Sequence, residues 1–282
     1  MATHPNPSAA LEFIFQVERF YASLASAAGS DAGPDSEPSL GGKLLYAGNL
    51  DPQASALLVA ANIAGAASLA ASADAAARKQ AIRDGVVDFL VTSLDEALRI
   101  LKNEIRKRQA VAVCVALAPQ ALEADFARQL LERGVLPNLL GQGAANGPSA
   151  AFLSRGARRV EAVNPDANQV LLGWSVASAP AQWLPKLDAL AMQCLSQDCL
   201  NSDPNPAAGA ARRWLRLAPR FLGRMAQGLR LLRCGESSAA NFLERVREQV
   251  ESAEIGVTVN LRISRKGQSE QYCFAPPTAR TR

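Results

Sequence analysis

Five short apolar runs recur along the first half of the chain, each followed by a stretch in which apolar positions return every three or four residues. The runs are 43–47, 67–71, 86–91, 111–117 and 136–140. Runs of this length, apolar throughout, predict strands buried on both faces, and the stretches between them predict helices. Asp51 and Pro52 open a helix over about 52–66, because Asp is a favoured N-cap and Pro a favoured first helical residue. Asp74 opens a second helix that ends near Gly85. Ser93-Leu-Asp-Glu96 is a capping box, so Asp95 and Glu96 are read as helix-start residues rather than as an acid–base pair. Asp88 is read as structural. A helix over about 121–133 stops at Gly134. Strands alternating with helices predict an α/β fold with a doubly wound, mostly parallel sheet. In such sheets ligands bind beyond the carboxyl ends of the strands, here near Gly48–Asp51, Thr92–Ser93 and Ala118–Pro119.

Outside this block the pattern changes. Leu11, Phe13, Ile14, Val17, Phe20, Tyr21 and Leu24 mark an amphipathic helix over about 9–28, expected to pack on the α/β block. Residues 29–42 and 141–149 are rich in Gly, Ser, Pro, Asp or Asn and read as connectors. Arg158–Val163 and Gln169–Ala177 are expected to pair as a hairpin. A helix over about 181–196, a basic helical stretch, a helix over about 238–252 and an alternating strand from Ile255 to Ile263 complete an α+β region. The expected organisation is thus 1–41 helix and linker, 42–140 the α/β domain, 141–157 linker, 158–276 the α+β region and 277–282 tail.

Composition narrows the chemistry. Apolar residues are 49% and charged residues 20% of the 282, ordinary values for a globular chain. No apolar run is long enough to span a bilayer, and the N-terminus lacks the features of a signal peptide, so a cytoplasmic location is expected. The five cysteines are scattered, which fits a reducing compartment. Cys194 and Cys199 are at best half of a zinc site, and no metal is expected. The single histidine is His4, which removes triad and His-ligated metal chemistry from the options.

Ala47-Gly48-Asn49-Leu50, Ala60–Ala66 (AANIAGA), Ser93–Leu98 (SLDEAL), Val111–Leu117 and Arg133-Gly-Val-Leu-Pro137 occur in the order and spacing of one known family. Over about 42–140 the chain resembles the Rossmann-like domain of urocanase, urocanate hydratase. The resemblance implies a Rossmann-like fold. It also implies a lyase of histidine catabolism that holds NAD on a first loop of the form GGxGGAQ. Here that loop reads Asp51, Pro52, Gln53, Ala54, Ser55, Ala56, Leu57, with its glycines gone. Gly48, Asn49, Asp51, Gln53 and Ser55 are the positions of a degenerate cofactor loop, and Gln53 and Ser55 are the side chains offered to a small ligand. Asn138 and GQGAANG replace the family's TDQTSAHD segment, and no cysteine here has the context of its active-site Cys, so no catalytic residue is assigned.

Between Asp203 and Glu236 the chain has no acid but seven arginines. Arg212, Arg216, Arg220 and Arg224 are spaced to form one stripe on a helix and are the candidate partner-binding residues. The alternative is a solvated face paired with Glu244, Glu248, Glu251 and Glu254. No stacking platform or motif for nucleic acid is present, and the net charge of +4 is modest.

Three functions follow as expectations. The first is a non-catalytic binding, regulatory or scaffolding module, a pseudoenzyme without NAD, assembling with itself or another protein. The second is a divergent NAD-dependent hydro-lyase of the urocanate hydratase type. The third is an interaction protein acting through the arginine stripe.

Overall fold

The computed structural model describes residues 7–29, 37–142, 150–201, 206–265 and 268–277. It divides into two compact units, 19–32 with 38–163, and 1–18 with 33–37 and 164–282.

The first unit is the expected α/β domain. Its strands are β1 Leu44–Asn49, β2 Ala67–Ser72, β3 Phe89–Val91, β4 Val111–Ala116, β5 Leu139–Leu140 and β6 Arg158–Arg159. They pair in the order β3-β4-β2-β1-β5-β6, all parallel. The helices are α1 Pro7–Gly29, of which residues from Arg19 onward belong here, α2 Pro52–Ala64, α3 Ala75–Arg83, α4 Leu94–Lys107, α5 Glu123–Glu132 and α6 Ala150–Ser154. Leu94, Ala97 and Leu101 of α4 and Phe126, Ala127 and Leu130 of α5 share a core with Tyr46, Leu69 and Val113 of the sheet. Helix α2 is buried over almost its whole length, and Phe20, Tyr21 and Leu24 of α1 are buried as the amphipathic reading expects.

Local sequence explains the element boundaries. The Ser93 hydroxyl accepts from Glu96 N at 3.2 Å, and Asp74 caps α3 by accepting from Ala76 N and Ala77 N. The Asp88 carboxylate accepts from Ala112 N at 2.7 Å, a structural role at the entrance to β3.

The second unit is an α+β layer. Its strands β7 Gln169–Val176, β8 Leu229–Gly235, β9 Val259–Arg265 and β10 Gln268–Phe274 pair antiparallel in the order β10-β9-β7-β8. Its helices are α7 Pro180–Asn201, α8 Pro206–Leu222 and α9 Glu236–Glu251. Buried Trp174 packs on Phe242, ring centroids 5.1 Å apart. Trp174 Nε1 donates to Asp188, whose other carboxylate oxygen accepts from Arg230 Nε at 2.9 Å.

Two expectations are corrected. Residues from 158 and from 169 do not form a hairpin: β6 continues the parallel sheet beside β5, and β7 pairs with β8 and β9. The arginine stripe is also not one helix. Gly223 takes φ +53°, a left-handed conformation that glycine adopts without a steric penalty, and α8 ends there. A 3₁₀ turn over Gly223–Ala226 follows, and Arg230 and Arg233 lie on β8.

Candidate functional site

The order of the sheet locates the site. From β1 the chain moves through β2 toward β3, and from β4 it returns past β1 to β5. The direction of winding therefore reverses between β1 and β5, where their carboxyl ends open a crevice.

The loop after β1 is shaped by its own residues. The register slips between Tyr46 and Gly48, and Gly48 takes φ +83°. Asn49 is exposed and Leu50 is buried. Asp51, with extended backbone, caps α2: its Oδ1 accepts from Ala54 N at 2.7 Å. Pro52 occupies the first helical turn and has no N–H to offer. Ser55 is turned back on the same residue, its N–H and its hydroxyl both donating to Asp51 O at 2.9 and 2.8 Å. Gln53 is exposed at the rim.

The opposite wall comes from β5. Gly141 N donates to Tyr46 O, and the backbones are close enough that a Cβ on Gly141 would lie 3.0 Å from Ala47 O and 2.9 Å from Leu57 Cδ2. Only glycine fits there without displacing β1. Phe20, Ala47, Asp51, Gln53, Ala54, Leu57 and Gln142 surround a depression of about 230 Å³. Phe20 and Gln142 were not foreseen as site residues. The helical period predicts that Phe20 is buried, but nothing local says that it reaches the loop after β1.

Behind the loop, the hydroxyl of buried Tyr46 donates to Glu123 at the start of α5. Burial first, and then the neighbouring carboxylate, push the Tyr46 phenol well above its ordinary range, so it stays protonated. Among the described residues no three His, Cys, Asp or Glu side chains come together as a metal site. No described helix is long and apolar enough to cross a membrane.

The arginine candidates do not converge with this site. Arg216 is ion-paired with Glu37, and the Arg220 guanidinium lies over the Phe221 ring at 5.4 Å. Arg212 lies on α8, while Arg224 falls in the 3₁₀ turn, and its side chain lies outside the described residues. Arg230 and Arg233 pair with Asp188 and Glu18, so these pairs, like that of Arg216, use acids other than those of α9 and its end.

Comparison with known families matches residues 20–163 to the urocanase Rossmann-like domain. The chain belongs to this family. The match covers half of the chain and runs from the second part of α1 through β6. The urocanase-like region thus extends beyond 42–140 at both ends, and takes in Phe20 and the strand that the hairpin reading had placed elsewhere. The crevice between β1 and β5 lies wholly inside the urocanase-like domain.

Proposed function

We propose that this chain is a non-catalytic member of the urocanase-like family, a binding or scaffolding module that works without NAD. The observation that carries the reading is the bond from Ala54 N to Asp51 Oδ1. A helix N-terminus binds a phosphate through first-turn N–H groups and the positive end of the helix dipole. At α2 one of those donors is already committed to a fixed carboxylate, and Pro52 withholds another. A second anion about 4 Å from that carboxylate would be repelled by about 1 kcal/mol in water and by more once desolvated. The depression of about 230 Å³ is also smaller than the roughly 300–1,000 Å³ of ordinary small-molecule sites. The residues at this terminus therefore do not fit a dinucleotide held by its pyrophosphate, and no reaction step is drawn through one.

The lone His4 and the absence of the family's cysteine context support the same reading. Cytoplasmic residence goes with it, on the evidence of the scattered cysteines. The competing reading is a divergent hydro-lyase of the urocanate hydratase type. It is favoured by the retained crevice at the switch point between β1 and β5.

The two separate cleanly on the full chain. The proposal expects no heat of binding on titration with NAD, no nucleotide released on acid denaturation, and no loss of urocanate absorbance with added NAD. Stoichiometric NAD in the purified protein, or consumption of urocanate, would overturn it.

A further inference from the structure

The six-stranded sheet ends on β3 at one side and on β6 at the other, and the two ends are finished differently. An edge strand presents unpaired N–H and C=O groups, and chains commonly blunt it with charge. β6 consists of Arg158 and Arg159, both exposed. β3 consists of Phe89, Leu90 and Val91. Phe89 is 48% exposed, Leu90 43%, and Ile82 on the adjoining α3 40%. Phe89 is in register with Val113 and Leu90 with Cys114, so the two side chains leave the strand on opposite faces. Both faces of this edge are apolar. The nearest acid, Asp88, is already engaged with Ala112 on the inner side.

We propose that β3 is a self-association edge, pairing antiparallel with β3 of a second copy about a two-fold axis at Leu90. A two-fold contact uses the same patch twice and so demands a self-complementary order of residues. With the axis at Leu90, that residue faces its own copy, Phe89 faces Val91, and Asp88 faces Thr92. No like charges meet across the seam, and apolar side chains meet on both faces. The same operation at β6 would bring arginines together, so only one edge admits a copy. Nearly half of three large side chains amounts to roughly 200 Å² of apolar surface per copy, against the about 800 Å² per partner of a standard interface. The flanking turns of α3 and α4 must supply the rest, which makes the association concentration-dependent rather than permanent.

This inference deepens the scaffolding reading by naming the partner, and it stands or falls separately from the NAD titration. The test is sedimentation velocity on the full chain across the micromolar range. The wild-type chain is expected to show a reversible monomer–dimer equilibrium, and Leu90→Lys to weaken it at least about tenfold with an unchanged thermal transition. If that variant does not fold, Ile82→Glu on the surface of α3 replaces it with the same expectation. Leu90→Cys in a Cys273→Ser background should form an intermolecular disulfide on mild oxidation. A chain that stays monomeric up to about 100 μM, a dimer indifferent to both charge variants, or failure to cross-link at position 90 would overturn the proposal.

Discussion

Asp51 illustrates how much of a site a single residue can decide. Its carboxylate stabilises the helix start that it also closes to other anions. Replacing it with Ala should cost about 1 kcal/mol, seen as a lower urea midpoint with an unchanged slope. No change in midpoint would show that the cap contributes nothing. Cysteines offer a second check at this scale. Cys114 is buried, and burial pushes its thiol up to about 11 although Arg78 pulls the other way. Cys273 is exposed. Iodoacetamide at neutral pH should therefore label Cys273 in the native chain and reach Cys114 only on unfolding, as read by peptide mass mapping. Equal labelling of the two would contradict the packing of β4. The cap at Asp51 was legible because an N-cap, a first-turn proline and the N–H that they govern all lie within four residues. The ion pair of Glu18 with Arg233, both oxygens engaged at 2.7 and 2.8 Å, joins positions 215 apart and left no local trace.

At the scale of elements, the helices and strands of the α/β domain follow from the sequence because each carries its own signals. Apolar runs, caps and terminal glycines placed β1 to β5 and α2 to α5 close to where they lie. The apolar run at 86–91 yields a strand only from Phe89, since Val86 and Val87 are buried in the approach to it. The hairpin expectation failed because adjacency in sequence was taken for adjacency in the sheet. Two exposed arginines carry no hydrophobic pattern that could have revealed β6 as a parallel neighbour of β5. The arginine stripe failed at a single glycine, Gly223, whose backbone preference a count of charges does not register.

Helix α7 is tied to β7 and β8 through Asp188, and this tie has a pH signature. Burial raises the Asp188 carboxyl above its ordinary 3.8, while Arg230 and Trp174 act in the opposite direction. The folded chain thus holds this proton more tightly than the unfolded one. The stability from this group is full below 3.8 and is lost as pH rises through the raised value. Urea unfolding followed from about pH 3 to about pH 6 should show a component of falling stability that Asp188→Asn removes. An identical pH profile in the variant would refute it.

At the scale of the whole molecule, family membership and function separate. The parallel sheet, its order and its crevice are those of a urocanase-like domain, and they were legible from motif order before any coordinates. What the crevice accepts was legible only in part. The loss of the glycines was visible in the sequence, whereas the close approach of Gly141 to β1 and the presence of Phe20 required the fold. Titration with NAD and sedimentation of the Leu90 variants address different faces of the domain, so either result can fail without the other.

The neighbouring Asp51 and Pro52 also constrain descent. Removing the acid alone forfeits a cap yet still leaves a missing donor, and removing the proline alone leaves the acid in place. A lineage changing one codon at a time would meet only losses on the way back to dinucleotide affinity. The pair acts as a ratchet, which holds the domain to whatever role it took up once the ancestral cofactor was gone.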